Sequence, residues 1–274
     1  MRLPQFVINA FTIDDQPFTG NPAAVVPLDA WLPDATLQAV AEQNNLAETA
    51  FVVVHPNETG ARPLRWFTPA REVRLCGHAT LAAAAALGSV LQFPGEAFAF
   101  STLSGVLKCR RGGGAIAMDF PADPAPLAPE RLRVLAEAVV GRPLDPQAVR
   151  EGRDDLFVAL DDDAEVTEYE LADGPIRAID KRGVILSAAS REGSGFDVVS
   201  RCFYPEFGID EDPVTGSAHT LIGPYWSARL GKPTVACRQA SRRGGDVRVT
   251  PLGEGRVSLS GRWSLFLAGE IEVA

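Results

Sequence analysis

Three short stretches of this 274-residue chain hold the side chains best suited to acid–base chemistry. Glu48 stands in Asn45-Leu46-Ala47-Glu48-Thr49, where a helical pattern gives way to a strand among small or apolar neighbours. A carboxylate so placed is expected to be partly desolvated, which raises its pKa toward the range of a useful general acid/base. The plainer reading is a helix-end glutamate in solvent. The second stretch is Cys76-Gly77-His78-Ala79-Thr80, at the start of an alanine-rich helix. Gly77 permits close backbone approach, and the unpaired N–H groups of a helix start favour an anion such as a carboxylate. His78 can bind a polar substrate group or move a proton near neutral pH, although a histidine at a helix start, taken alone, is more often a structural hydrogen-bonder. The third stretch runs from Glu211 and Asp212 through Pro213-Val214 to Thr215-Gly216-Ser217-Ala218-His219. Thr215 or Ser217 can be a plain N-cap and Asp212 a plain turn residue, yet Gly216 and Ser217 repeat the anion-receptive arrangement.

The elements that position these stretches read as one half written twice. Arg65-Trp66-Phe67-Thr68-Pro69 and the Cys76 turn correspond to Arg201-Cys202-Phe203-Tyr204-Pro205 and the Asp212 turn. Gly105 with a glycine-broken strand pair over 106–120 corresponds to Gly245 with a second pair over 246–261. A spacing of about 140 residues is far beyond the roughly 20–50 of a solenoid unit, so it marks two domains facing a cleft. The first half is 1–126, with Glu48 and the Cys76-Gly77-His78 turn. The second is 127–274, with the Asp212 to Ser217 turn, and its last strand is able to return to the first half. In the first half, 6–11, 23–26, 50–54 and 63–68 read as strands and 33–44 as an amphipathic helix. Ala79 to Leu87 has almost no polar face, which suits a helix buried on all sides. Leu127 to Val140 reads as a connecting helix. In the second half, strands are expected at 155–160, 166–170, 176–180, 183–188, 234–239, 246–250, 256–260 and 265–273, with a buried helix from about Ala218 to Leu230.

Composition narrows the function. Hydrophobic residues make up 46% of the chain, an ordinary globular content. A formal charge of −9 argues against nucleic acid, which wants a basic face. The run Asp161, Asp162, Asp163, Glu165, Glu168 and Glu170 reads as a solvated loop and edge strand rather than a metal site. Four unevenly spaced cysteines without a CxxC pair suggest reduced thiols in a cytoplasm and no metal ligand set. Cys109, Cys202 and Cys237 are expected to be buried bystanders, His219 packed and His55 exposed. No apolar signal-peptide core opens the chain, and no stretch approaches the roughly 18 apolar residues of a membrane span, so no membrane partner is expected. Gly112-Gly113-Gly114 reads as a hairpin turn, not a phosphate loop.

Four ordered motifs resemble the signatures of the phenazine biosynthesis PhzF-like family: Phe18-Thr19-Gly20-Asn21-Pro22-Ala23-Ala24-Val25-Val26, Asn45 to Thr49, Cys76 to Thr80, and Glu211 to His219. The resemblance spans essentially the whole chain. It implies an α+β, diaminopimelate epimerase-like fold of two similar rolled-sheet halves, each wrapped around a central helix, with the site between them. It implies a cofactor-independent isomerase moving a proton on a small carboxylic or amino-acid-like metabolite, with a homodimer as the family expectation. Carried over by motif, Glu48 is the general acid/base, and His78 and Asp212 bind substrate and help the transfer. Cys76, Gly77, Gly216 and Ser217 then hold the substrate carboxylate. Epimerases of the wider fold place a cysteine at each turn, whereas the second turn here offers Pro213-Val214. A one-face proton shift is therefore favoured over inversion between two thiols. Asn9 stands where the family often has Asp. The rivals are a racemase or epimerase using Glu48 and Cys76, and a non-catalytic protein that binds a small acid.

Overall fold

Apolar runs rich in valine, phenylalanine and alanine become the strands of a computed structural model that describes residues 1–205 and 210–273. The architecture is sheet-rich α+β, in two compact units: Met1–Asp119 with Ser260–Ala274, and Phe120–Leu259. The division thus falls after Asp119 where the sequence suggested 126, and the C-terminal residues count with the first unit because the last strand lies along the first.

In the first unit, β1 (Arg2–Thr12) and β2 (Asn21–Leu28) lead through α1 (Asp34–Asn44) to β3 (Glu48–Val53), β4 (Arg62–Phe67) and the short β5 (Glu72–Val73). The helix α2 (Gly77–Ala85) and strands β6 (Ala97–Thr102), β7 (Gly105–Gly112) and β8 (Ala115–Pro121) follow. β2 runs parallel to β3, with Ala23 opposite Glu48, and antiparallel to β1. Every residue of α2 is buried, and it packs on β1, β2 and β3. Alanine makes that possible: a strong helix former with a one-carbon side chain lets strand backbones approach without a polar face to hydrate. Two devices fix where β3 begins. Asn45 turns left-handed (φ 48°) and donates back to the carbonyls of Ala41 and Glu42, closing α1. Asn44 then donates to Thr49 Oγ1 at 3.0 Å and to Gln5 Oε1 at 3.1 Å.

The second unit carries α3 (Glu130–Val140), β9 (Val149–Glu151), β10 (Asp155–Leu160), α4 (Asp163–Thr167), α5 (Asp173–Arg177), β11 (Gly183–Ala189) and β12 (Val198–Phe203). After them come α6 (Gly216–Leu230), β13 (Val235–Gln239) and β14 (Gly245–Gly253), and then β15 (Arg256–Glu272), which belongs to the first unit from Ser260 on. β11 is parallel to β10 and antiparallel to β12, and β13 is parallel to β12 and antiparallel to β14. On one side of this sheet Leu132, Val158, Val166, Leu186 and Phe203 belong to a continuous core. α6 packs on β11, β13 and β14, and Trp226 Nε1 ties it to Ser187 Oγ at 2.9 Å. Gly223 is required for that approach, because a Cβ there would lie 2.0 Å from Val249 Cγ1.

Three expectations are corrected. The stretches around 166–170 and 176–180 are not strands; the short helices α4 and α5 occupy this region. Asp162 accepts from the Ala164 N–H at 2.9 Å, and Asp163 and Glu165 fall in the first turn, where a helix favours acids. The acidic run is solvated at Asp161, Asp162, Glu168 and Glu170 as expected but forms no edge strand: Asp163 is buried and accepts from Arg191 N at 3.0 Å, and both Glu165 oxygens take Arg142 at 2.8 Å. Residues 256–272 form one strand rather than two. β15 pairs antiparallel with β1 from Arg262 to Glu272, and irregularities at Val7/Ile8 and Ala10/Thr12 absorb its change of register. Among the described residues, no helix is long and apolar enough to cross a membrane.

Candidate active site

The first unit brings Glu48, Cys76, Gly77 and His78 together. Cys76 is extended (φ −144°, ψ 114°), so the chain enters α2 abruptly and its second residue, His78, already points into the interior. His78 Nδ1 lies 3.5 Å from Cys76 Sγ, and Nε2 lies 3.1 Å from Glu48 Oε2, an ion-pair distance without hydrogen-bond alignment. Thr80 Oγ1 donates to the Cys76 carbonyl at 2.5 Å and holds the turn. The His78 side chain is 7% exposed and that of Glu48 19%, so the carboxylate is the member that still meets solvent.

Burial pushes the Cys76 thiol up, and the Glu48 charge adds to the effect, so the sulfur is held protonated. Burial opposes a charge on His78, but the Glu48 carboxylate 3.1 Å from Nε2 favours the cation and holds the ring above the usual histidine range. The cluster is thus a thiol, an imidazolium and a carboxylate in a row. The same three offer S, N and O donors within 4.8 Å of one another and could hold a metal. A metal would require thiolate and neutral imidazole, the opposite of the protonation this burial favours. Proton handling is the chemistry this arrangement does without rearrangement.

The second unit brings Asp212, Gly216 and Ser217 together around the start of α6. Asp212 Oδ2 accepts from Thr215 Oγ1, and the Asp212 N–H donates to the Cys202 carbonyl at 3.0 Å. Gln239, buried at the end of β13, accepts from Thr215 N at 2.8 Å and donates to the Asp212 carbonyl at 2.7 Å. Ser217 Oγ accepts from Arg182 Nη2 at 2.9 Å, and Arg182 grips Asp155 through Nε at 2.8 Å and through Nη2. Burial pushes the Asp155 carboxyl up, and Arg182 restrains the rise without cancelling it. Gln239, Arg182 and Asp155 are site neighbours that sequence reasoning missed. The available signal was a polar residue closing the apolar run of β13 and an Arg-Gly step opening β11.

The matching arginines behave alike in their own units. Arg65 takes Glu72 through Nε and Nη2 at 2.7 Å each, and Arg201 takes Glu211 through Nε at 2.6 Å and Nη2 at 3.2 Å. Each guanidinium lies 5.0 Å from the ring centre of the phenylalanine two residues on, Phe67 or Phe203. Three smaller expectations agree with the structure: Cys109, Cys202 and Cys237 are buried, the His55 side chain is 71% exposed, and Gly113 and Gly114 turn left-handed between β7 and β8.

His219 is fully buried, with Nδ1 2.8 Å from the Thr215 carbonyl, and burial pushes its pKa down to about 4. The unfolded chain takes a proton on this ring near 6.5, the folded chain only near 4. The unfolded state therefore binds more protons in that window, and stability falls as pH drops through it. This component amounts to about 3 kcal/mol by pH 4. Urea midpoints measured from pH 7 to pH 4 are expected to fall more steeply for wild type than for His219→Gln, which keeps a donor for Thr215 without the titration.

The family model described as phenazine biosynthesis-like protein (PhzC-PhzF) matches residues 8–269. An uncharacterized isomerase of Pseudomonas aeruginosa is 45% identical, with 100% of each chain covered. The crystal structure of a PhzF family protein from Enterococcus faecalis is 38% identical and superposes with a TM-score of 0.88, covering 99% of this chain and 100% of that one. A structure described as a predicted epimerase from Pseudomonas aeruginosa, at 21% identity and a TM-score of 0.75, covers 99% of this chain and 100% of its own and shows a likeness of fold.

Proposed function

Because the chain belongs to the phenazine biosynthesis-like family, we propose that it is a cofactor-independent isomerase that moves a proton on a small carboxylic or amino-acid-like metabolite, with Glu48 as general acid/base. The observation that carries the reading is the Glu48–His78 pair, 3.1 Å apart at the start of a helix buried along its length. Glu48 takes a proton from the carbon beside the substrate's acid or unsaturated group, leaving the electron pair delocalised over the substrate. It then returns that proton to a second carbon, so the bond order shifts and composition is unchanged. His78, held cationic, and the N–H groups at the start of α2 from Gly77 onward stabilise the negative charge while it exists. Cys76, a buried thiol, borders the substrate without acting as a base. In the second unit, Asp212, Gly216 and Ser217 form a polar, anion-receptive turn in its own right, and we assign them to substrate binding.

The fold reading goes with this function: two similar rolled-sheet halves, each around one buried helix. Its support is the burial of α2, and of α6 over its first two turns and Trp226, on strands, with the like-for-like Arg65–Glu72 and Arg201–Glu211 pairs. A homodimer is proposed from an apolar face of the first unit, where Phe18 (71%), Phe266 (61%), Leu265 and Leu267 are exposed and the two rings pack edge to face. Sedimentation is expected to show a dimer for wild type and a monomer for Phe266→Glu; a wild-type monomer ends that proposal.

The function is tested by incubating wild type and Glu48→Gln with a metabolite library in deuterated water and reading products by mass spectrometry and NMR. A compound isomerised by wild type alone supports the reading and names the substrate class. Deuterium at an inverted centre points instead to a racemase using Glu48 and Cys76. Silence from both, with a ligand that stabilises the fold, points to a binding protein.

A further inference from the structure

The second unit holds a cavity of about 750 Å³ that the proposed proton transfer does not use. One wall is the face of α6 formed by Leu221, Pro224, Tyr225 and Ala228, spaced three and four apart as one side of a helix requires. The loop 122–125 and Arg150 of β9 also line the cavity.

The loop is anchored by the helix itself. Pro224 has no N–H, which leaves the Thr220 carbonyl four residues earlier without its helical donor. The Asp123 N–H donates to that carbonyl at 3.1 Å. The Asp123 carboxylate in turn accepts from Ala125 N at 3.2 Å and Arg153 N at 2.7 Å, and Ala122 N reaches the Gly255 carbonyl at 2.8 Å. These bonds hold Ala125 left-handed at φ 37°, a strained conformation for a residue with a Cβ. The wall is therefore rigid before any ligand arrives, and strain of this kind persists where the surroundings over-determine it.

The charges of the lining are unmatched. Arg150 Nε is buried without a hydrogen-bond partner, and among the described residues its guanidinium makes no ion pair. The guanidinium carbon lies 5.6 Å from the ring centre of Tyr225. A second guanidinium, Arg229, donates to Tyr225 Oη at 3.3 Å. Asp123, the carboxylate of the lining, already has an N–H on each oxygen. Arg150, with Nε desolvated and no carboxylate beside it among the described residues, in a chain of net charge −9, is left to take an anion, and the exposed Arg229 adds positive charge at the rim. Arginine presents the fork that matches a carboxylate, the Tyr225 ring offers a flat face, and the leucine, proline and alanine side chains suit a hydrocarbon body.

We propose that this cavity is a second ligand site, separate from the Glu48 cluster, for a small planar organic carboxylate. Its guanidinium anchor is Arg150, with Arg229 at the exposed rim and the planar body against Tyr225.

The test is calorimetric titration of the full chain with 2-naphthoate, cyclohexanecarboxylate and inorganic phosphate. Wild type is expected to bind 2-naphthoate saturably and more tightly than either other probe. Arg150→Met is expected to weaken it by roughly tenfold or more, as loss of a buried charge partner does. Ala228→Trp, an exposed position whose new ring occupies the space beside Tyr225, is expected to block the planar body and abolish binding even if Arg150→Met proves unstable. Glu48→Gln is expected to bind as wild type does. Four results overturn the proposal: no saturable binding to wild type; binding lost in Glu48→Gln but kept in Arg150→Met; phosphate binding as tightly as 2-naphthoate; or Ala228→Trp dissociating an oligomer, which would make a second copy the occupant.

Discussion

Glu48→Gln is expected to lower kcat by about 10²–10⁴-fold, the contribution of a positioned general acid/base, with a smaller change in KM. Glutamine keeps the shape of the side chain, and its amide oxygen can still face His78 Nε2 where Glu48 Oε2 now lies 3.1 Å away. The proton-transfer capacity is removed, and with it the charge that helps hold His78 cationic. Cys76→Ser supplies the matching control. The Cys76 thiol is only 6% exposed and held protonated by burial, so it is poorly suited to act as the second base. A serine there should leave the rate within about tenfold if one carboxylate does the work, since no step of that mechanism then requires a thiolate. A two-base epimerase predicts the opposite pattern, with Cys76→Ser as damaging as Glu48→Gln. The pH profile adds a third constraint. His78 is held well above the usual histidine range, so its charge persists through neutral pH and the rate should fall on the alkaline side as the ring loses its proton. Stability follows the same sign: a raised pKa in the fold contributes fully below about pH 6.5 and is lost as pH rises through the folded value.

How far the sequence could be read depends on how local the information is. The Asn45–Glu48 junction was legible because its signals, a helical pattern, an asparagine and a β-rich run, lie within a few residues of one another. The nature of α2 was legible because a run of alanines leaves no face for water. The acidic stretch after Leu160 misled because its meaning is set by partners elsewhere: Arg142 and Arg191 lie 23 and 28 residues from the acids they meet. Arg182 was invisible for the same reason, since Asp155 and Ser217 lie 27 and 35 residues away. Composition records that an arginine exists, but only the parallel pairing of β10 with β11, with Asp155 opposite Gly183, puts it beside that carboxylate. Gly183 shows how tight the placement is, because a Cβ there would lie 2.1 Å from the Phe203 carbonyl.

Arg182→Met is expected to be the most destabilising single change at the second turn, by about 3 kcal/mol, the lower end for breaking a buried pair. The lower end is appropriate because the Arg182 side chain is 32% exposed while that of Asp155 is 6% exposed, so water reaches one partner and not the other. Three contacts vanish together: the grip on Asp155, the donor to Ser217 Oγ, and the cation 4.9 Å from the Tyr204 ring centre. The effect should depend on pH with a definite sign. Burial already holds the Asp155 carboxyl above its ordinary 3.8, and losing Arg182 removes the main influence that lowers it. With a folded pKa above the unfolded one, the folded state binds more protons in the window above 3.8, so stability falls as pH rises through it. The gap between wild type and Arg182→Met should therefore be wider at pH 7 than at pH 5, as read from urea denaturation midpoints. The double variant Arg182→Met/Asp155→Leu decides the cause. If an unpaired buried charge is responsible, removing Asp155 as well restores most of the lost stability and flattens the pH dependence. If the double variant is as unstable as the single one, the guanidinium matters through packing and through Ser217, and Arg182→Lys, which keeps the charge but not the fork spanning both partners, should then be no better than methionine.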